Sequence, residues 1–289
     1  MIHDSIKIVE CPRDAMQGLL TWIPTETKIA YINHLLQIGF DTIDFGSFVS
    51  EKAVPQLKDT AHVLKALDLS KAKSKLLAIV ANVRGAEEAI HFDEIAYLGF
   101  PFSVSETFQK RNTNKSIEES LVQVEEIQRL CVRSKKELVV YISMGFGNPY
   151  GDPYSPDYVA EWCTRLHSEF GIGILALSDT IGVGSPENIG PLFRTLIPAL
   201  PEVEFGAHLH TVSQFADEKI AAAYDAGCRR FDGAIRGLGG CPMATDQLTG
   251  NMPTESLVHF CTDRGLEHKL DVPLFEAAMK SALTVFPAH

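Results

Sequence analysis

The sequence predicts an α/β protein, a (β/α)8 TIM barrel, forming a single domain over residues 1–289 with a mobile Gly-rich loop after the eighth strand. Three observations carry this. Short apolar, β-branched runs recur eight times, at 6–11, 42–46, 76–82, 95–100, 138–144, 174–179, 204–210 and 229–235. Capped helical patterns separate most of them, and no Ser/Pro-rich linker or shift in composition marks a second domain. A doubly wound open sheet is the alternative that the same alternation allows.

The strand runs are nearly continuous in apolar character, as in Leu-Leu-Ala-Ile-Val-Ala at 76–81, which suits strands buried on both faces and paired in parallel. The helices show their starts. Ser116-Ile-Glu-Glu119 has the spacing of a capping box, and Ile117, Leu121, Val124, Ile127 and Cys131 follow along one face. Ser155-Pro156 and Ser185-Pro186 each place a capping hydroxyl before a first-turn proline. Helical stripes end at Gly39, Gly171 and Gly227, immediately before strands. Residues 237–251 hold four glycines and no helical period, which reads as the mobile loop.

Composition narrows the partners. With 289 residues, 45% hydrophobic and 22% charged, the chain has an ordinary globular balance. Its 37 acidic against 26 basic residues give a net charge of −11, which argues against nucleic acid and anionic membrane as partners. The longest uninterrupted apolar run, 76–81, is far shorter than the roughly 20 residues a bilayer requires. Six cysteines without Cys-x-x-Cys pairs and the lack of a visible export signal point to a reducing, cytoplasmic setting.

In such barrels the chemistry sits at the carboxyl ends of the strands. His208-Leu-His210 ends the seventh run, and residues two apart on a strand share a face, so the two imidazoles are candidates for half of a metal site, with a structural or chance pair as the plainer alternative. Cys11-Pro-Arg13-Asp14 ends the first run. Arg and Asp are costly to bury unless paired or bound to an ion, so Asp14 is a candidate to meet a cation and Arg13 an anion; a local Arg-Asp pair on a solvated turn is the plainer alternative. Asp44 and Ser47 after the second run and Asp179 after the sixth bring further oxygens to the rim. Gly237-Leu-Gly-Gly-Cys241-Pro supplies either a phosphate cradle or a hinge for a lid that carries Cys241, and Asn251 closes that loop with a neutral carbonyl oxygen.

Taken together, Val9-Glu10-Cys11-Pro12-Arg13-Asp14, the His208/His210 pair and the Gly237–Pro242 loop resemble the 3-hydroxy-3-methylglutaryl-CoA lyase family, within the metal-dependent lyase and Claisen-synthase barrels. The likeness extends over Ser47-Phe-Val-Ser, Asn112-Thr-Asn-Lys-Ser, Asp179-Thr-Ile-Gly and Thr249-Gly-Asn251. It implies retro-Claisen cleavage of 3-hydroxy-3-methylglutaryl-CoA, or a close 3-hydroxyacyl-CoA, to acetoacetate and acetyl-CoA. The cofactor implied is a divalent cation, Mg2+ or Mn2+ with Zn2+ as a further candidate, held by Asp14, His208, His210 and Asn251. The implied catalytic set is Arg13, Asp14, Asp44, His208 and Cys241. Arg13, Gln17, Ser47 and Asp179 are the implied contacts to an acyl-CoA substrate, and a homodimer is the implied assembly.

The chain departs from that pattern in several places. Asp44 stands where the lyases are expected to carry a glutamate, and the carboxylate one methylene shorter is expected to withdraw a hydrogen bond from Arg13. Thr211 replaces an aspartate after the His pair, Ala15-Met16 replaces Gly-Leu, and the stretch from Cys241 to Asn251 is one residue longer. A Claisen-type synthase of the isopropylmalate or homocitrate kind shares Arg-Asp and His-x-His, and a non-catalytic ligand-binding barrel is the reading from a different class.

Overall fold

The structure is a computed structural model that describes residues 5–240 and 249–286. Eight parallel strands close in sequence order: β1 Lys7–Glu10, β2 Thr42–Ser47, β3 Lys75–Ile79, β4 Ile95–Ser103, β5 Glu137–Ser143, β6 Ile174–Asp179, β7 Glu204–Leu209 and β8 Arg230–Gly233, with β8 pairing back onto β1. The open sheet is thereby excluded. Helices lie between the strands, and the main apolar core fills the space between the two layers. A second, smaller cluster of Leu77, Tyr97, Val139, Tyr141, Ile174 and Ala176 is formed by alternate residues of β3 to β6.

The local signals act as their chemistry dictates. Ser116 accepts from the Glu119 amide while the Glu119 carboxylate accepts from the Ser116 amide, so the helix Ile117–Arg133 starts on a reciprocal cap. Ser155 accepts from the Tyr158 amide at the start of Pro156–Phe170. Two strand ends differ from the sequence pattern by three residues, the others by two or fewer. β3 stops at Ile79 because the Asn82 side chain accepts from the Gly85 amide and starts the helix Val83–Ala89. β4 instead runs through Pro101 to Ser103. Its pairing with β3 ends at Gly99, so the missing proline N–H is not needed on that side.

One non-local feature shapes the mouth of the barrel. Past the ends of β7 and β8, residues 250–254 return between the two strands. The Thr211 amide donates to the Gly250 carbonyl at 2.9 Å, and the Met252 amide to the Leu209 carbonyl at 2.9 Å. On the other side the Ala234 amide donates to the Met252 carbonyl at 3.0 Å. Asn251 thus becomes the bridge partner of His210. Gly250 permits this, because a Cβ there would stand 2.3 Å from the Gly237 carbonyl oxygen.

Gly250→Ala is therefore expected to force two backbone segments apart and to destabilise the fold by about 1–3 kcal/mol. Urea unfolding measures it. An unchanged midpoint would show that the return segment is not held this tightly.

Candidate active site

Immediately after β1 a short helix, Pro12–Gln17, turns Arg13 and Asp14 inward at the barrel mouth, and both are buried. The charge of Arg13 is met on two sides. Its Nε lies 3.0 and 3.2 Å from the Asp44 carboxylate oxygens and its Nη2 2.5 Å from Oδ2. Its Nη1 donates to Asp14 Oδ1 at 3.1 Å and to Gln17 Oε1 at 2.9 Å, while the Gln17 amide donates to Asp14. Among the described residues four of the five guanidinium N–H groups are committed, which leaves one on Nη2.

The shorter side chain of Asp44 therefore does not withdraw from Arg13. It grips the guanidinium through two nitrogens, because β2 itself, with a register shift between Asp44 and Gly46, places the carboxylate beside it. Asp44 is fully buried beneath Arg13 and does not line the cavity. Burial pushes its pKa up to about 6 even against the Arg13 charge. Burial likewise opposes the charge on Arg13, and Asp44 and Asp14 more than restore it.

His208 and His210 leave β7 toward the same place, with ring centroids 5.3 Å apart. His208 Nε2 lies 3.6 Å from Asp14 Oδ2, and its Nδ1 lies 3.1 Å from Asp232 Oδ2 on β8. Burial disfavours the imidazolium of His208, but the hydrogen bond and charge of Asp232, with Asp14 behind it, outweigh burial and raise its pKa. His210 goes the other way, down to about 4, from burial and the neighbouring His208. Neither ring nitrogen of His210 makes a well-formed hydrogen bond among the described residues. Burial acts against ionised Asp14, yet Arg13 and the two histidines hold its pKa below the usual value.

Ligand atoms of Asp14, His208 and His210 lie within 4.8 Å of one another. An anionic oxygen and two imidazoles, one of them neutral with both nitrogens free of good partners, form a donor set that fits a divalent cation. Asn251 sits beside this set, its amide nitrogen donating to the Leu238 carbonyl at 2.8 Å and to the Asp14 carboxylate, so that among the described residues its oxygen remains for another partner. Gly239, at φ +91°, allows the close approach, since a Cβ there would lie 2.6 Å from the Asp14 carbonyl oxygen and 2.8 Å from Asn251 Nδ2.

A cavity of about 310 Å³ opens over these residues. Arg13, Asp14, Gln17, His208 and His210 line it together with hydroxyl and amide side chains such as Asn112, Ser143 and Thr180, while Ile79, Ala81, Pro101 and Phe108 contribute apolar surface. Ser47 and Asp179 lie outside it. Ser47 is buried, with its hydroxyl accepting from the Val49 amide. The Asp179 carboxylate is paired at 2.8 Å with Lys219, whose ammonium also donates to the His210 carbonyl at 2.8 Å and the Gly182 carbonyl at 3.2 Å. Cys241 lies outside the described residues.

Two contributors escaped the sequence reading. Asp232 orients His208, and an acid one residue before the end of the eighth strand was a readable signal. Lys219 lies in the middle of the helix Ala216–Asp225, where a lysine ordinarily reads as a solvated position, so nothing in the sequence marked it.

A concave mouth holding a buried guanidinium and an acid–imidazole cluster at the carboxyl ends of closed parallel strands is the layout of a barrel enzyme. Comparison with known proteins narrows the class. The HMGL-like family model matches residues 6–280. The chain is 34% identical over 274 residues to the cytoplasmic 3-hydroxy-3-methylglutaryl-CoA lyase of Rattus norvegicus, spanning 94% of this chain and 78% of the relative. It is 33% identical over 269 residues to the hydroxymethylglutaryl-CoA lyase YngG of Bacillus subtilis, spanning 93% and 89%. An HMG-CoA lyase from Acinetobacter baumannii, solved in complex with coenzyme A and 3-methylmalate, superposes with a TM-score of 0.90 at 29% identity, over 99% of this chain and 92% of that one. The chain belongs to the HMGL-like family and is a carbon–carbon lyase.

Replacing Lys219 with Met leaves Asp179 buried without its cation and is expected to cost about 3–5 kcal/mol. The double variant Lys219→Met/Asp179→Leu should recover much of this. Thermal and urea unfolding of the set report the coupling, and additive losses would contradict it.

Proposed function

We propose that this enzyme cleaves a 3-hydroxyacyl-CoA of the 3-hydroxy-3-methylglutaryl type, giving acetoacetate and acetyl-CoA from that thioester, with a divalent cation, Mg2+ or Mn2+, held by Asp14, His208, His210 and Asn251. The observation that carries the reading is His210. A neutral, buried imidazole without good partners, next to Asp14 and His208, pays the cost of burial with no return unless a ligand completes it. That a relative in this family was captured with coenzyme A and 3-methylmalate supports a thioester and a short hydroxy acid as the ligand types.

When bound, a divalent cation supplies Lewis acidity that favours loss of the substrate hydroxyl proton and fixes the orientation of that group. The chain's own groups do the remainder. Asp14 and His208 are the two bases within reach of that proton, and Asp232 orients His208 by holding Nδ1. Collapse of the tertiary alkoxide to a ketone breaks the carbon–carbon bond and leaves the electron pair on the carbon next to the thioester. The enolate oxygen that results falls to the uncommitted N–H of Arg13, whose position is set beforehand by Asp44, Asp14 and Gln17. Cys241 is assigned the return of a proton to the nascent acetyl carbon. The free cysteines among the described residues support a reducing cytoplasm, and the homodimer is carried over from the family likeness.

Incubation with Mn2+ and 3-hydroxy-3-methylglutaryl-CoA should release acetoacetate, and EDTA should abolish it. Arg13→Met should lower kcat by about 10²–10³-fold with Mn2+ affinity retained, the loss typical of removing one oxyanion donor. His210→Ala should instead lose Mn2+ binding. No product from any short 3-hydroxyacyl-CoA, despite stoichiometric metal, would overturn the reading.

A further inference from the structure

One buried carboxyl group has no part in the chemistry above. Glu10, the last residue of β1, is 1% exposed, yet both of its oxygens are occupied. Oε1 accepts from the Ile235 amide at 2.9 Å, and Oε2 accepts from the Thr254 hydroxyl at 2.6 Å. These partners belong to the two chain segments that flank the site. Ile235 opens the turn Ile235–Gly237, where the chain leaves β8. Thr254 begins the helix Thr254–Arg264, which the chain enters three residues after Asn251. We infer that Glu10 is a positioning residue for the metal ligand Asn251, joining β1, the exit from β8 and the returning segment 250–254 into one rigid support.

The support can be followed bond by bond. The Ala234 amide donates to the Met252 carbonyl and the Thr254 amide to the Ala234 carbonyl, so the return segment lies on the exit of β8. A Cβ on Gly233 would stand 2.9 Å from the Thr254 hydroxyl oxygen, so only a bare backbone lets the two meet. Cys11, next to Glu10, donates its amide to the Gly233 carbonyl at 2.8 Å, which carries the same clamp to the residue preceding the helix that bears Arg13 and Asp14. Opposite the clamp, Asn251 bridges His210. Asn251 is therefore held from both sides, by β7 directly and by β1 through Glu10. Burial raises the Glu10 pKa to about 8, so near neutral pH its proton can reverse the Thr254 contact, and the amide isostere can likewise accept from Ile235 and donate to the Thr254 hydroxyl oxygen.

This inference rests on the metal reading, and the test separates the two. Mn2+ binding is measured by electron paramagnetic resonance of the free ion, without substrate. Outer partners of metal ligands typically cost 10–100-fold in affinity when removed, so Glu10→Ala should raise the Mn2+ Kd about 10-fold or more. Glu10→Gln should stay within about threefold of the wild type, and Thr254→Val, which removes one of the two contacts and serves if Glu10→Ala does not fold, should fall between them. Asn251→Ala sets the size of the full effect. Wild-type affinity in Glu10→Ala or Thr254→Val, with only the melting temperature lowered, would overturn the positioning role and leave the metal reading standing. A wild-type protein that binds no Mn2+ would overturn both.

Discussion

Closing the barrel takes the carboxyl groups of Glu10, Asp14, Asp44, Asp179 and Asp232 almost wholly out of water, and the rest of the site follows from how each is compensated. An unpaired buried carboxylate costs several kcal/mol, so each of these groups needs a cation, a hydrogen-bond donor or a proton. Arg13 answers Asp44 and Asp14, Lys219 answers Asp179, His208 answers Asp232, and Glu10 is met by a hydroxyl and an amide. The pairings cross from strand to strand and to the helices and turns that follow them. The charges that perform the chemistry are thus also the ties that fix the mouth of the barrel.

Within that set the partners divide the work. Asp44 spends its carboxylate on holding Arg13 and points it at the cavity without entering it. Asp14 is shared among Arg13, His208 and His210 and stays ionised, which suits a metal ligand. The two histidines, only two residues apart, are driven in opposite directions, His208 up by Asp232 and His210 down by burial. His210 offers a lone pair to a cation, while His208, its Nδ1 held by Asp232, has only Nε2 for the same ion or for a proton. The local arrangement makes a strongly acidic protein compatible with an anionic thioester, because the guanidinium faces the cavity while most of the neighbouring acids lie behind it.

The barrel was legible because its determinants are local. Eight apolar runs, the Ser116 and Ser155 caps and the glycine stops repeat one unit, and the pairing of β8 with β1 decides for closure over the open sheet that the same alternation allows. The polar pairings were legible only where the partner lies nearby in sequence or at a readable strand end, as for Asp14 and the His208/His210 pair. Asp44 was expected to leave Arg13 short of a bond, since a side-chain length says nothing of the backbone shift that carries it. Ser47 and Asp179 share the strand-end position of the site residues, yet fold into backbone and lysine contacts that sequence position does not distinguish. The return of residues 250–254 between β7 and β8 was invisible because a stretch without period gives no register, although Asn251 was singled out as the residue that closes it.

The central claim is that the mouth of this barrel is built around a divalent cation. Crystals grown with Mn2+ and measured for anomalous scattering at the manganese edge test it directly. The account predicts one strong peak within bonding distance of Asp14, His208 and His210. A mouth without a peak at saturating Mn2+, with the ion found only elsewhere on the surface, would contradict it.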